Sequence, residues 1–161
     1  MASGFVHPGL LHSREDINRI KIAIRQKEGP IYEGFKLLLE SPFSKMDYRM
    51  LGPVEEWGRA PNTNTGQAQN DAKAAYQNAL MWAITEKQPH ADKAIEIINA
   101  WAGKLKKISG IDGVLASGLQ GFQFVNAAEL VRYTDSGWTE AEAERCEASF
   151  KNAWLPTIEH Y

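Results

Sequence analysis

Residues 70–87, NDAKAAYQNALMWAITEK, are followed at 90–108 by HADKAIEIINAWAGKLKKI and at 119–135 by LQGFQFVNAAELVRYTD. These three helix-length segments decide the fold class. In the first, Ala72, Ala75, Tyr76, Ala79, Leu80 and Ala83 recur at the three-and-four spacing that gives a helix one apolar side. Ala91, Ala94, Ile95, Ile98, Trp101, Ala102 and Leu105 repeat the pattern in the second. Glu86 to Pro89 is too short for anything but a tight connection, so the two helices form an antiparallel hairpin.

Upstream, Ser13 with Asp16 three residues on forms a capping arrangement, and Ile17, Ile20 and Ile24 make a stripe that Gly29 stops. Pro30 suits the first turn of a next helix, with Phe35, Leu38 and Leu39 as its buried side before Ser41-Pro42. From 43 to 69 no period persists, and Gly52, Pro53, Gly58, Pro61 and Gly66 interrupt every candidate element. A connection of that length is expected to be a lid or binding loop, since structureless loops rarely exceed about 15 residues. Asn64 or Asn70 is placed to cap the helix that follows it, Asn70 being favoured. Downstream, Ser136-Gly137-Trp138 punctuates, Thr139 and Glu142 form a second capping box, and Ala143, Cys146, Phe150 and Ala153 continue a stripe up to Pro156. The chain is therefore all-α, one helical domain over 1–161 built mostly from paired hairpins, with the 43–69 loop inside it.

Composition narrows the function. The net charge of -2 with both signs mixed along the chain provides no basic field for nucleic acid or an anionic membrane. The single Cys146 leaves no internal disulfide and no cysteine-rich zinc spacing. No apolar run approaches the roughly 20 residues of a bilayer span, and residues 1–4 lack the apolar centre of a signal peptide. Neither a nucleophile elbow nor a phosphate-cradling glycine pattern is present.

The wording AYQNALMWAIT at 75–85, HADKAIEIINAWA at 90–102 and LQGFQFVNAAELVRY at 119–133, with VHPGLLHSREDINRIK at 6–21, resembles the helical catalytic domain of alginate-lyase-like polysaccharide lyases over most of residues 6 to 161. The resemblance implies hairpins wound into an incomplete α/α toroid with a sugar cleft, of which this chain would be the N-terminal part. It implies a secreted or periplasmic protein and an acidic, uronate-containing polysaccharide such as alginate or glucuronan as partner. Cleavage would be β-elimination, which removes the proton beside the carboxylate and expels the sugar oxygen on the neighbouring carbon. That chemistry asks for an amide, His or Arg on the carboxylate and a Tyr or His to move the proton, with no metal or other cofactor required. The resemblance places the main groups of this kind in a segment beyond Tyr161. A partial ring exposes an apolar face, so a companion piece of the same enzyme or a second copy is expected to cover it. A noncatalytic helical scaffold that binds glycan or protein is the alternative.

Gln120, Gln123 and Asn126, three apart on an otherwise apolar helix, share a face about 120° wide. They either bind sugar or satisfy backbone groups of neighbouring loops. Arg132 either grips a uronate carboxylate or pairs with Glu129. The 43–69 loop gathers Lys45, Tyr48, Arg49, Trp57, Arg59, Asn62 and Asn64, with Trp57 either a platform for a pyranose ring or a plug anchoring the loop. Tyr133, His160 and Tyr161 carry side chains suited to acid–base work, although adjacent helical residues such as the last two point about 100° apart. His7 and His12 are read as entry-loop packing, His90 as a surface residue starting its helix, and Trp82, Trp101 and Trp154 as core.

Overall fold

A computed structural model describes residues 4–159. Helices α1 (Arg14–Gln26) and α2 (Gly29–Glu40) pack together, followed by a 3₁₀ turn at Pro42–Ser44. Strand β1 (Glu56–Gly58) leads to α3 (Thr65–Thr85), α4 (Gln88–Lys104), strand β2 (Lys107–Ser109), α5 (Gly113–Arg132) and α6 (Glu140–Ser149). A π-helical turn at Phe150–Trp154 runs on into α7 (Leu155–Glu159). The all-α class is confirmed.

Both capping boxes form: Ser13 with Asp16 at the start of α1 and Thr139 with Glu142 at the start of α6. Between α3 and α4 only Glu86 and Lys87 intervene, Glu86 taking the left-handed conformation that closes the helix. Helix α3 is central, packed on α4 and α5 and against the 3₁₀ turn. Its alanines let the neighbours approach closely, and Ala68, Ala72, Ala74, Ala75 and Ala79 are fully buried. Trp57, Trp101, Phe124 and Trp154 fill the space at one end in a chain of tilted ring contacts.

Several boundaries differ from the sequence expectation. The loop is shorter than 43–69, because α3 begins at Thr65, the 3₁₀ turn overlaps its start and β1 lies within it. Strand β1 pairs in parallel with β2, Trp57 opposite Ile108, an addition that three-residue strands are too short to announce in periodicity. Asn70 lies inside α3; Asn64 is the N-cap residue but its amide donates to the Glu56 carbonyl at 2.9 Å instead of capping. Helix α1 ends at a left-handed Lys27, before Gly29. Leu39 is 42% exposed, since α2 packs mainly on α1 and the 3₁₀ turn. Pro156 does not end the last helix: the preceding π-turn, with Leu155 N–H reaching Phe150 O, widens the ladder where a proline has no N–H to give. His90 is buried, its Nδ1 2.8 Å from Asn78 Oδ1.

Candidate functional site

The outer C-terminal half of α5 carries the densest group of side chains with acid–base or binding chemistry, and the entry segment before α1 lies across it. Glu129 Oε1 accepts both the His7 Nδ1 proton at 2.7 Å and the Gly9 N–H at 2.8 Å. One turn earlier, Asn126 Oδ1 accepts the Leu11 N–H at 3.2 Å while its Nδ2 donates to Phe122 O at 2.7 Å. Tyr133 stacks on the His7 ring, centroids 3.9 Å apart. Arg14 donates to the carbonyls of His7 and Tyr133. These contacts deliver His12 Nε2 to the hydroxyl of Tyr76 on α3, and Phe122 stands edge-on to the Tyr76 ring at 6.2 Å.

Burial sets the electrostatics of this couple. It holds His12 below the ordinary histidine value, against the opposing pull of Asp16, so the ring is neutral at neutral pH. Burial also raises the Tyr76 hydroxyl, which stays protonated. A neutral imidazole facing a protonated phenol can pass a proton without forming a free phenolate.

The structure brings Asn126 and Tyr133 together around the entry segment and leaves the other candidates elsewhere. Asn126 is buried and serves loop backbone. Arg132 pairs with Glu140, at 2.6 Å, and with Glu147, both from α6, while Glu129 is engaged by the entry segment. Gln123 donates to Leu119 O at 2.8 Å near the surface, and Gln120 is buried one turn further back. Tyr48 meets Asp71 on α3 and Lys45 meets the Leu39 carbonyl, while Arg59, Asn62 and Asn64 gather at the other end of α5, about 20 Å from Asn126 at about 1.5 Å per residue. There Arg59 pairs with Asp112 at 3.5 Å, Asn62 and Thr65 face each other at 3.4 Å, and Asn64 holds Glu56. Trp57 is fully buried against Trp154, so it plugs the loop onto the helices and presents no face for a sugar. The polar stripe and the loop do not converge on one cleft; the aromatic core fills the space between them. His160 and Tyr161 lie outside the described residues.

Sequence reasoning passed over Tyr76, His12, His7 and Glu129 as site members. Tyr76 counts as one more apolar position in the α3 stripe, and only the interruption of the apolar run 124–131 by Asn126 and Glu129 hinted that α5 receives polar partners there. A cleft of about 510 Å³ adjoins this site between α1 and the ends of α3 and α5, lined by Arg14, Asn18, Lys21, Trp82, Glu86 and Asp135. Among the described residues no group of three metal-ligating side chains converges and no helix is long and apolar enough to cross a membrane.

The domain is thus of the all-helical, hairpin-built class, with amide and tyrosine side chains of α5 on the entry segment and His12 of that segment set against Tyr76 of α3. Within it the assignment is specific: the family model described as alginate lyase matches residues 47–160, and the chain belongs to that family. No curated protein and no solved structure matches the chain.

Proposed function

We propose that this chain is, or is the N-terminal part of, a polysaccharide lyase that cleaves a uronate-containing glycan such as alginate or glucuronan by β-elimination. Membership of the alginate lyase family supports the reaction class. The single structural observation that carries it is the His12–Tyr76 couple beside Asn126. Tyr76 takes the proton next to the uronate carboxylate while giving its own hydroxyl proton to His12 Nε2; as the bond to the leaving sugar oxygen breaks, the same relay runs back and protonates that oxygen. The Asn126 amide proton not used by Phe122, with Gln123 one turn away, would donate to the carboxylate. Arg59, Asn62 and Asn64 at the far end of α5 would be reached only by a chain long enough to span that helix, while Gln120, buried, and Arg132, held by Glu140 and Glu147, serve the fold. The family also supports a secreted or periplasmic location.

The apolar row Leu115, Leu119, Phe122 and Val125 on α5, each 36–52% exposed, adjoins Leu155 and Ile158 across an open groove. That face supports a companion piece of the same enzyme, or a second copy, as partner, because contiguous exposed apolar surface on this scale marks an interaction site.

The test is the growth of ultraviolet absorbance from unsaturated uronate ends on incubation with alginate, glucuronan and a glycosaminoglycan. Growth that Tyr76→Phe abolishes is expected. Growth unaffected by Tyr76→Phe refutes the assignment of the couple. No growth with any of the three glycans, joined to saturable binding of one of them, favours the noncatalytic scaffold, which the commitment of Asn126 and Glu129 to loop backbone also suits.

A further inference from the structure

We propose that Asn126 and Glu129 are positioning residues that clamp the entry segment 7–12 onto α5, and that the His12–Tyr76 couple exists only while this clamp is closed. The catalytic significance of the clamp rests on the function proposed above; its existence does not.

The observations come from both partners. Asn126, Glu129 and Tyr133 follow one another at three and four residues, so they form a single row along α5. Every one of them engages the segment: Asn126 takes the Leu11 N–H, Glu129 takes the Gly9 N–H and the His7 ring proton, and Tyr133 stacks on His7. The segment has little else to hold it. Pro8 is buried, but Phe5, Val6, Leu10 and Leu11 are 58–93% exposed, so hydrophobic burial contributes little. Its only internal tie next to the couple is the turn in which His12 N–H meets Gly9 O at 3.1 Å. Gly9 is fitted to this turn, since a Cβ there would stand 2.8 Å from Val6 O. Hydrogen bonds to two α5 side chains and one ring stack, with the Arg14 bond to the His7 carbonyl, therefore carry the docking. From Leu11, anchored by Asn126, the chain reaches the Tyr76 hydroxyl one residue later, and on its other side His12 adjoins the Ser13 cap of α1, so the clamp sets the approach of the ring from the N-terminal side.

The groups facing the segment are few. Glu129 and Tyr133 come from α5, Arg14 and Asp16 from α1, and Tyr76 from α3. Opening the clamp moves His12 from a half-buried place to solvent and leaves Asp16 as the nearest charge on its own side of the chain.

The test is a proton-resolved nuclear magnetic resonance titration of all histidines in the full chain, unchanged and with Asn126→Leu, Glu129→Gln and both together. In the unchanged chain His12 titrates below the ordinary histidine range. The double variant is expected to return His12 to that range, each single variant part of the way, while His90, buried beside Asn78 on the far side of α3, keeps its depressed value. A His12 titration that stays put in the double variant overturns the clamp. Loss of the His90 depression along with it overturns the clamp too, because the two residues would then be holding the core and not the segment. If His12 moves as expected but uronate release by an active chain is unchanged, the clamp stands and the acid–base role of the couple falls.

Discussion

Asp71 Oδ2 accepts the indole N–H of Trp101 at 2.9 Å, and the same fully buried carboxylate also accepts the Leu51 and Gly52 N–H groups and the Tyr48 hydroxyl at 2.8–2.9 Å. One side chain of α3 thus ties the middle of the long loop to the α3–α4 hairpin. The loop backbone has few other partners there, and Gly52 is required because a Cβ would stand 2.5 Å from the Trp101 ring. Burial, with the bond to Asp71 next, pushes the Tyr48 hydroxyl well above the usual tyrosine range.

Asp71→Asn is expected to lower stability by about 3 kcal/mol, because an amide places two donors where four donors already point and at least one buried N–H is left without an acceptor. Denaturant unfolding measures this directly. Proteolysis should shift to residues 45–54 well before the helices are cut, and equal protection of the loop in both proteins would contradict the anchoring.

Acid should loosen the fold above the range where carboxylates titrate. His12 and His90 are both held below their ordinary value of 6.5 by burial. The unfolded chain therefore binds protons that the folded chain does not, so stability is full above about pH 6.5 and falls as pH drops below it. Asn78 fixes the proton on His90: its Nδ2 donates to Phe43 O, Lys45 O and Ala74 O, leaving Oδ1 to accept from Nδ1–H. Melting temperatures measured from about pH 7 to about pH 5 should decline, and the decline should be shallower in His90→Gln. A flat profile over that window would disprove the burial of both rings.

Gly110→Ala should be among the most damaging small substitutions. Gly110 has φ +93°, and a Cβ would come within 1.9 Å of Arg59 O, where the strand pair closes on the loop. Strain of this kind, with the required backbone shift, is worth about 2–4 kcal/mol. Gly103→Ala, with nothing within 4 Å of its added carbon, is the control and should be neutral or slightly stabilising.

Cys146 should resist thiol reagents while the protein is folded. It lies 4% exposed beneath α4 and α5, and burial raises its thiol to about 12, so almost no thiolate is present at neutral pH. Mass spectrometry after a timed pulse of iodoacetamide should find the native chain unmodified and the denatured chain fully labelled.

The sequence by itself determined most of the helices and the family. Apolar spacing of three and four fixed α3 and α4, Ser13 with Asp16 and Thr139 with Glu142 fixed two helix starts, and the wording of 75–133 carried the resemblance that the family match bears out. These features are local: they depend on which side chains share a helix face or lie within one turn. Only the tertiary structure decided how the polar residues are used. Asp71, Asn78 and His90 look like the solvent side of their helices, yet α3 is wrapped on all sides and each meets a partner 12 to 30 residues away or on a separate loop. Trp57 offered two roles until Trp154 was seen against it. The His12–Tyr76 couple joins residues 64 apart, and the clamp joins Glu129 to His7 across 122. Periodicity reports only which face of an element prefers water. Which distant backbone group a buried amide or carboxylate will satisfy depends on how the helices are stacked, and no spacing along the chain records that.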